Sequence, residues 1–142
     1  DMGLTVDKFS YTTVSSAYAA RGDPSRAAYW LQRMLNASIA PDEAAYNVVI
    51  NSWTKHGDSD NAVAWLERMQ TAGLTPNTIS YTSVIDSFAR KGDVEQSIKW
   101  HRKMELAGAA PNTASYNAVI KACARRRDSA RAEAWLQQMR SV

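Results

Sequence analysis

Disulfide frameworks and membrane spans are excluded first, because the chain lacks the residues that build them. It has one cysteine among 142 residues, which rules out an internal disulfide framework and fits a reducing compartment. Its longest apolar runs are about one helical turn, whereas a transmembrane helix needs roughly 20 apolar residues. We therefore expect no direct insertion into a membrane.

Groups that carry enzyme chemistry are also missing. His56 and His101 do not recur at a fixed interval, and neither has a cysteine, histidine or carboxylate pair at ligand spacing. Cys123 occupies a position that is aromatic elsewhere in the chain, which favours a small core residue over a nucleophile. We predict no catalytic residue, no metal site, no cofactor and no enzyme activity.

What the chain does contain is a period of 35 residues. Three residue types recur four times at this interval, namely Tyr11, Tyr46, Tyr81 and Tyr116, then Trp30, Trp65, Trp100 and Trp135, then Met34, Met69, Met104 and Met139. A fixed period of this length indicates a solenoid of stacked repeats, in which each repeat buries its apolar face against its neighbours.

Each repeat carries two apolar stripes with helical spacing. In the second repeat, residues 46–53 and residues 62–69 both place apolar side chains at i, i+3, i+4 and i+7, as an amphipathic helix does. Between them, Gly57 can adopt the left-handed conformation that ends one helix, and Asp58 can cap the next. Asp23, Asp93 and Asp128 lie in equivalent places.

The pattern predicts an all-α protein, a right-handed α-solenoid of about four helix-turn-helix repeats with eight helices. One array covers residues 1–142, with approximate repeats at residues 8–42, 43–77, 78–112 and 113–142. Residues 1–6 share the phase of residues 71–76, and neither end has an evident polar cap, so we expect an excerpt of a longer array. Every tryptophan should be buried against neighbouring helices.

The last repeat departs from the turn pattern. Arg127 stands where the other repeats have Gly22, Gly57 and Gly92. A non-glycine residue in a left-handed turn costs about 1 kcal/mol, so we expect the turn of this hairpin to differ.

The unit reads Tyr-(Thr/Asn)-x-Val-Ile, then Gly-Asp, then Ala-x-x-Trp-Leu-x-x-Met, then Ala-Gly-x-x-Pro-(Asn/Asp). It resembles the pentatricopeptide repeat of the 35-residue P type over essentially the whole chain. The tetratricopeptide repeat has a 34-residue period and a Leu-Gly pair in its first helix that this chain lacks. The resemblance implies sequence-specific binding of single-stranded RNA, one nucleotide per repeat, in RNA processing, stability, translation or editing in a mitochondrion or plastid.

The resemblance also implies three sets of RNA-contacting residues. Bases are selected by the residue after each tyrosine and by the residue after the closing proline, here Thr12, Asn47, Thr82 and Asn117, with Asp42, Asn77 and Asn112. Bases are held between the residues two positions before each tyrosine, here Phe9, Ala44, Ile79 and Ala114. The RNA backbone meets cations nine positions after the tyrosine, here Lys55, Arg90 and Arg125.

In the family's pairing rules, Thr with Asp is similar to a guanine reader, Asn with Asn to a weak pyrimidine reader, and Thr with Asn to an adenine reader. The first three repeats then imply G, then C or U, then A, with a pyrimidine at the fourth, read 5′ to 3′ from the N-terminus. A purely structural role stays open at these positions, because Asp and Asn also cap helices and cations also favour helix C-termini. The net charge of +3 agrees only mildly with RNA binding.

A protein-binding scaffold is the alternative function, because a fold does not determine what it binds. Helical repeats also form architectural subunits of large organellar assemblies such as ribosomes or membrane complexes, where their partners are protein subunits. The two hypotheses differ in whether the base-selecting residues and the three cations form one open strip or are covered by a partner.

Overall fold

The structure is a computed structural model that describes residues 6–141. Within this range, all regular structure is α-helical: α1 (Lys8–Ala20), α2 (Pro24–Asn36), α3 (Glu43–His56), α4 (Ser59–Thr71), α5 (Thr78–Arg90), α6 (Val94–Leu106), α7 (Thr113–Arg125) and α8 (Ser129–Arg140). The all-α prediction with eight helices is confirmed. Among these described helices, none has the length and apolar character needed to span a bilayer. The phase match of residues 1–5, like Val142, lies outside the described residues.

Each helix begins at an aspartate or asparagine. The side chain of this N-cap accepts a hydrogen bond from the backbone N–H three residues later, an interaction that typically stabilises a helix by about 1 kcal/mol. The caps are Asp7, Asp42, Asn77 and Asn112 on the tyrosine-bearing helices, and Asp23, Asp58, Asp93 and Asp128 on the tryptophan-bearing helices. The capping role expected of the Gly-Asp aspartates is confirmed.

The turn inside each hairpin uses one residue in the left-handed region. Gly57 has φ 88°, as its sequence position predicts, and Arg127 has φ 57° at the same place in the last repeat. The N–H of Asp128 donates to the carbonyl of Cys123 at 2.9 Å, and the equivalent bond from Asp58 measures 3.0 Å. The expectation of a different last turn is therefore wrong, because the same closing hydrogen bond holds arginine in a conformation that favours glycine.

The described residues form two compact units that divide between Thr75 and Pro76. The first unit contains α1 to α4 and the second contains α5 to α8. In the first, α1 packs on α2, and α3 packs on α1, α2 and α4; in the second, α5 packs on α6, and α7 packs on α5, α6 and α8. Each unit is thus a pair of helical hairpins joined through the tyrosine-bearing helix of its second hairpin. The four repeat boundaries stay a prediction.

The apolar stripes supply the core of both units, although those of α1 and α8 are only partly buried. Trp65, Trp100 and Trp135 are 7%, 3% and 7% exposed, as expected. Trp30 is only half-buried, so the expectation that every tryptophan is buried is wrong for this residue. Leu136 is 45% exposed, although the leucines at the same position of the first two repeats are buried.

Candidate nucleic-acid interface

The tyrosines orient the residues that follow them. Tyr46 and Tyr81 are each 1% exposed, and the Tyr81 ring lies 6.4 Å from the ring of Trp100 in the paired helix. The next residue is rotated by about 100° around the helix, since an α-helix has roughly 3.6 residues per turn. Asn47 and Thr82 therefore lie at the edge of the core, where both are half-buried.

The second unit brings four of the predicted RNA-contacting residues into one cleft. This cleft has a volume of about 350 Å³ and is lined by Ile79, Thr82, Ser83, Asp86, Asn112 and Ala114. The base-selecting pair of the third repeat and the two residues expected to sandwich its base are all members of this set. A concave site of this size with a few polar groups among apolar ones is suited to a small planar ligand.

Asn112 both caps a helix and faces this cleft. Its Oδ1 accepts a hydrogen bond from the backbone N–H of Ser115 at 2.8 Å, and its own backbone N–H donates to the Ser115 hydroxyl at 3.0 Å. Its amide nitrogen Nδ2 has no acceptor among the described residues. Capping and the predicted base contact would therefore use different atoms of one side chain, so the two roles are compatible.

Thr82 contributes an acceptor to the same cleft. Its hydroxyl lies 2.7 Å from the carbonyl oxygen of Thr78 and donates to it, because a carbonyl can only accept. The Oγ1 lone pairs remain directed away from that bond. The base-selecting pair thus presents an N–H donor, from Asn112, and an oxygen acceptor, from Thr82.

The corresponding groups of the first repeat are engaged differently. Asp42 uses Oδ1 to cap Ala45 at 2.9 Å, and its Oδ2 lies 3.5 Å from the Nζ of Lys8. The hydroxyl of Thr12 is buried and has no hydrogen-bond partner among the described residues. Both functional groups of this pair are therefore less available than those of Thr82 and Asn112.

All four residues expected to sandwich bases are exposed. Phe9 and Ile79 are 77% and 62% exposed, and Ala44 and Ala114 are also exposed. Single exposed apolar side chains are common on protein surfaces, so the prediction for Phe9 and Ile79 depends on the repeat position that they share. The two alanines offer less surface for stacking. Of the remaining base-selecting residues, Asn77 caps α5 through Oδ1 and Asn117 is exposed.

The three predicted cations lie in the last turns of α3, α5 and α7. All are exposed. Lys55 and Arg125 have no ion pair within the described residues. Arg90, in contrast, places its Nε 3.1 Å from Oδ2 of Asp86. The three cations are therefore not equivalent.

Two functional candidates were missed from the sequence. Asp86 lines the cleft, and its Oδ1 lies 3.2 Å from the Nζ of Lys121 on α7. Both residues stand five positions after a tyrosine, so the 35-residue period contained the signal. A third charged residue, Arg126, donates from Nε to the carbonyl of Gly92 at 2.6 Å and ties two successive turns together.

His101 and Cys123 lie in the core, as their positions in the stripes predict. His101 is fully buried, with ring centroids 4.6 Å from Tyr116 and 4.9 Å from Trp135. Burial lowers its pKa, while Glu105, whose Oε1 lies 3.2 Å from Nδ1, partly opposes that shift. Burial also raises the pKa of the Cys123 thiol, which makes it a poor nucleophile. The described residues contain no cluster of metal-ligating side chains.

Comparison with known proteins supplies a family. A family model described as the pentacotripeptide-repeat region of PRORP matches residues 9–142. No curated sequence matches the chain significantly. The maize pentatricopeptide repeat protein PPR10 is 22% identical with a TM-score of 0.86, over 99% of this chain and 20% of that one. The chain thus spans about a fifth of that protein's length.

Two similar structures contain RNA. PPR10 in complex with an 18-nt psaJ RNA element is 27% identical with a TM-score of 0.83, over 99% of this chain and 21% of that one. The PPR domain of Arabidopsis thaliana protein-only RNase P 1, in complex with tRNA, is 19% identical with a TM-score of 0.83, over 98% and 74% of the two chains. These matches confirm the predicted α-solenoid of helix-turn-helix repeats.

Proposed function

This chain belongs to the pentatricopeptide-repeat family, and we propose that it binds single-stranded RNA in a sequence-specific manner, one nucleotide per repeat. The cleft of the third repeat carries this proposal. It is lined by Thr82 and Asn112, which are expected to select a base, and by Ile79 and Ala114, which are expected to hold it. The similar proteins crystallised with a psaJ RNA element and with tRNA support RNA as the ligand class.

The hydrogen-bonding groups of the cleft suit adenine. The Nδ2 of Asn112 can donate to the N1 acceptor of adenine, while the Oγ1 of Thr82 can accept from its exocyclic amino group. Cytosine presents the same pair of hydrogen-bonding groups on a smaller ring, so selectivity for adenine over cytosine has to come from the width of the cleft. Guanine presents an N–H where adenine has an acceptor. The proposed order remains G, then C or U, then A, with a pyrimidine at the fourth repeat.

The role proposed for the chain is recognition, with no chemistry of its own. The similar proteins include ribonucleases P, but the described residues offer binding groups in a cleft and keep their histidine and cysteine candidates in the core or at a helix end. A mitochondrial or plastid location follows from the family resemblance alone. One similar protein is described as the nuclear RNase P 2 of Arabidopsis thaliana, so imaging of a fluorescent fusion is the direct test of location.

The substitution Asn112→Asp tests base selection. It replaces the Nδ2 donor by an acceptor, keeps the Oδ1 cap, and should move the third-repeat preference from adenine towards guanine. The expected change in discrimination is about 1 kcal/mol, the scale of one hydrogen bond gained against one left unpaired. The measurement is the ratio of dissociation constants for two RNAs that differ only at this base.

A matched control is Thr113→Asp, which adds the same charge at the neighbouring, exposed position outside the cleft. It should weaken binding to both RNAs equally, because the charge acts on the phosphates. An unchanged ratio for Asn112→Asp would reduce Asn112 to a helix cap, since Asp and Asn cap almost equally well. Absence of binding to either RNA by the parent chain would instead favour the protein-scaffold alternative.

A further inference from the structure

Asp86 is an acidic residue inside a cleft that is expected to receive a polyanion. It lies on α5 four residues after Thr82 and four residues before Arg90. Residues at this spacing share one face of a helix. The carboxylate therefore stands between the base-selecting threonine and the cation that the sequence assigns to the RNA backbone.

Both oxygens of Asp86 are paired with cations. Its Oδ2 lies 3.1 Å from Nε of Arg90, and its Oδ1 lies 3.2 Å from Nζ of Lys121 on the neighbouring helix α7. The side chains of Asp86, Arg90 and Lys121 are 35%, 42% and 49% exposed. The three charges form one half-exposed network that borders the cleft, with a net charge of +1 where the two cations alone would give +2.

Stability does not explain this network. Ion pairs between half-exposed side chains contribute little to folding because water and salt screen them. α5 and α7 pack directly on each other, and both helices carry buried apolar side chains, including Val84 and Val119, which are 0% exposed. A carboxylate at this place is therefore not needed to hold the two helices together.

We propose that Asp86 is an electrostatic brake on RNA binding at the third repeat. This inference rests on the proposed RNA-binding function. Asp86 lines the cleft and pairs with both Arg90 and Lys121, so an RNA phosphate has to displace a carboxylate before it can contact either cation. Its own negative charge also repels the phosphate. The brake limits affinity without touching the hydrogen-bonding groups that select the base.

The same position in the other repeats provides a natural comparison. Five residues after the tyrosine stand Ser16, Asn51, Asp86 and Lys121, so only the third repeat has an acid there. Asn51 precedes Lys55 by four residues, as Asp86 precedes Arg90. The second repeat thus has the same spacing between this position and its cation, but a neutral residue in place of the acid. The carboxylate can therefore be removed from the third repeat and introduced into the second.

The test measures binding of a fluorescein-labelled 12-nucleotide RNA that contains the proposed order G, C, A and U, by fluorescence anisotropy between 50 and 200 mM NaCl. Asp86→Asn should tighten binding about fivefold at the lowest salt, the scale of removing one like charge from a half-exposed site. The slope of log K against log salt should steepen by about 0.7 for each cation released. Asn51→Asp should weaken binding by a similar factor and make the slope shallower.

Asp86→Ser, the residue of the first repeat, repeats the removal with a different neutral side chain, and circular dichroism melting confirms that each variant is folded. The ratio of affinities for this RNA and for one in which only the third-repeat adenine is replaced by uracil should stay the same in all three variants. If the parent chain binds RNA and the two Asp86 variants bind no tighter, Asp86 is not a brake, and the proposed function stands. If neither the parent nor a variant binds RNA, the proposed function fails and the inference falls with it.

Discussion

The two compact units share one architecture but treat their base-selecting residues differently. In the first unit, Asp42 uses one oxygen for a helix cap and places the other 3.5 Å from Lys8. In the second unit, Asn112 also uses its oxygen for a cap, but its amide nitrogen has no acceptor within the described residues. A helix cap uses only one of the two terminal polar atoms of an aspartate or asparagine side chain. Whether the residue can also contact a base therefore depends on what the other atom is bonded to.

The units differ in their helix-end charges as well. Lys55 lies in the last turn of α3 in the first unit without an ion pair among the described residues, whereas Arg90 lies in the last turn of α5 in the second unit beside Asp86. Both cations stand nine residues after a tyrosine. Cations at equivalent positions of the repeat therefore differ in whether an acidic side chain pairs with them.

The cores of the two units also differ at the position of His101. Leu31 and Leu66 are 2% and 0% exposed in the first unit, and His101 takes the same position in the second at 0%. Neither ring nitrogen of His101 makes a hydrogen bond of acceptable geometry to the described residues, although an oxygen of Glu105 lies 3.2 Å from Nδ1. The second unit therefore carries a titratable group where the first has only apolar packing.

The largest expected effect is in the tryptophan core. Trp65→Ala in the first unit and Trp100→Ala in the second should each destabilise the chain by about 3–5 kcal/mol through lost core volume. Trp30→Ala should cost less, because Trp30 is only half-buried. Urea unfolding followed by circular dichroism measures all three. Equal losses at Trp30 and Trp65 would contradict the difference in packing, and no loss at Trp65 would contradict its place in the core.

The next effect is a dependence of stability on pH that belongs to the second unit. Burial lowers the folded-state pKa of His101 below the ordinary 6.5, so the unfolded chain binds more protons at mildly acidic pH. This contribution to stability is complete above pH 6.5 and is lost as the pH falls below it, with a slope of at most about 1.4 kcal/mol per pH unit for one proton.

His101→Leu should abolish that loss between pH 7 and pH 5, and Leu66→His should create a similar loss in the first unit. Thermal melts at several pH values provide the measurement. Asp7 and Asp128, whose pKa values are lowered by hydrogen bonds from Ser10 and Arg131, act at lower pH and remain in all variants. If the melting temperatures of the parent chain and of His101→Leu depend on pH in the same way, protonation of His101 beside Tyr116 and Trp135 does not destabilise the fold.

The smallest expected effect concerns the salt dependence of RNA binding. A cation that meets a phosphate contributes about −0.7 to the slope for a single strand, so three such contacts would give roughly −2. Lys55→Ala and Arg125→Ala should each make the slope shallower by about 0.7. Arg90→Ala should change it less, because Asp86 already pairs with Arg90. Equal changes for all three variants would contradict the difference between Arg90 and the two cations without an ion pair in the described residues.

Local features of the fold were predictable because they depend on residues close in sequence. The i, i+3, i+4, i+7 stripes predicted the helices, and the Gly-Asp dipeptides predicted where one helix ends and the next begins. The left-handed conformation of Gly57 followed from its missing side chain. The turn at Arg127 was not predictable, since the closing hydrogen bond from Asp128 outweighs the preference for glycine only in the folded hairpin.

The chain's own sequence determined its period, its hairpins and which side chains fall at each repeat position, because these depend on helical geometry and on caps within three residues. Only the tertiary structure decided which of those side chains can act. Lys8 reaches Asp42 and Lys121 reaches Asp86 across about one repeat of sequence, through the stacking of neighbouring hairpins. These ion pairs cannot be predicted from the residues of one repeat. The two charges interact only when packing of the hairpins brings them within ion-pair distance.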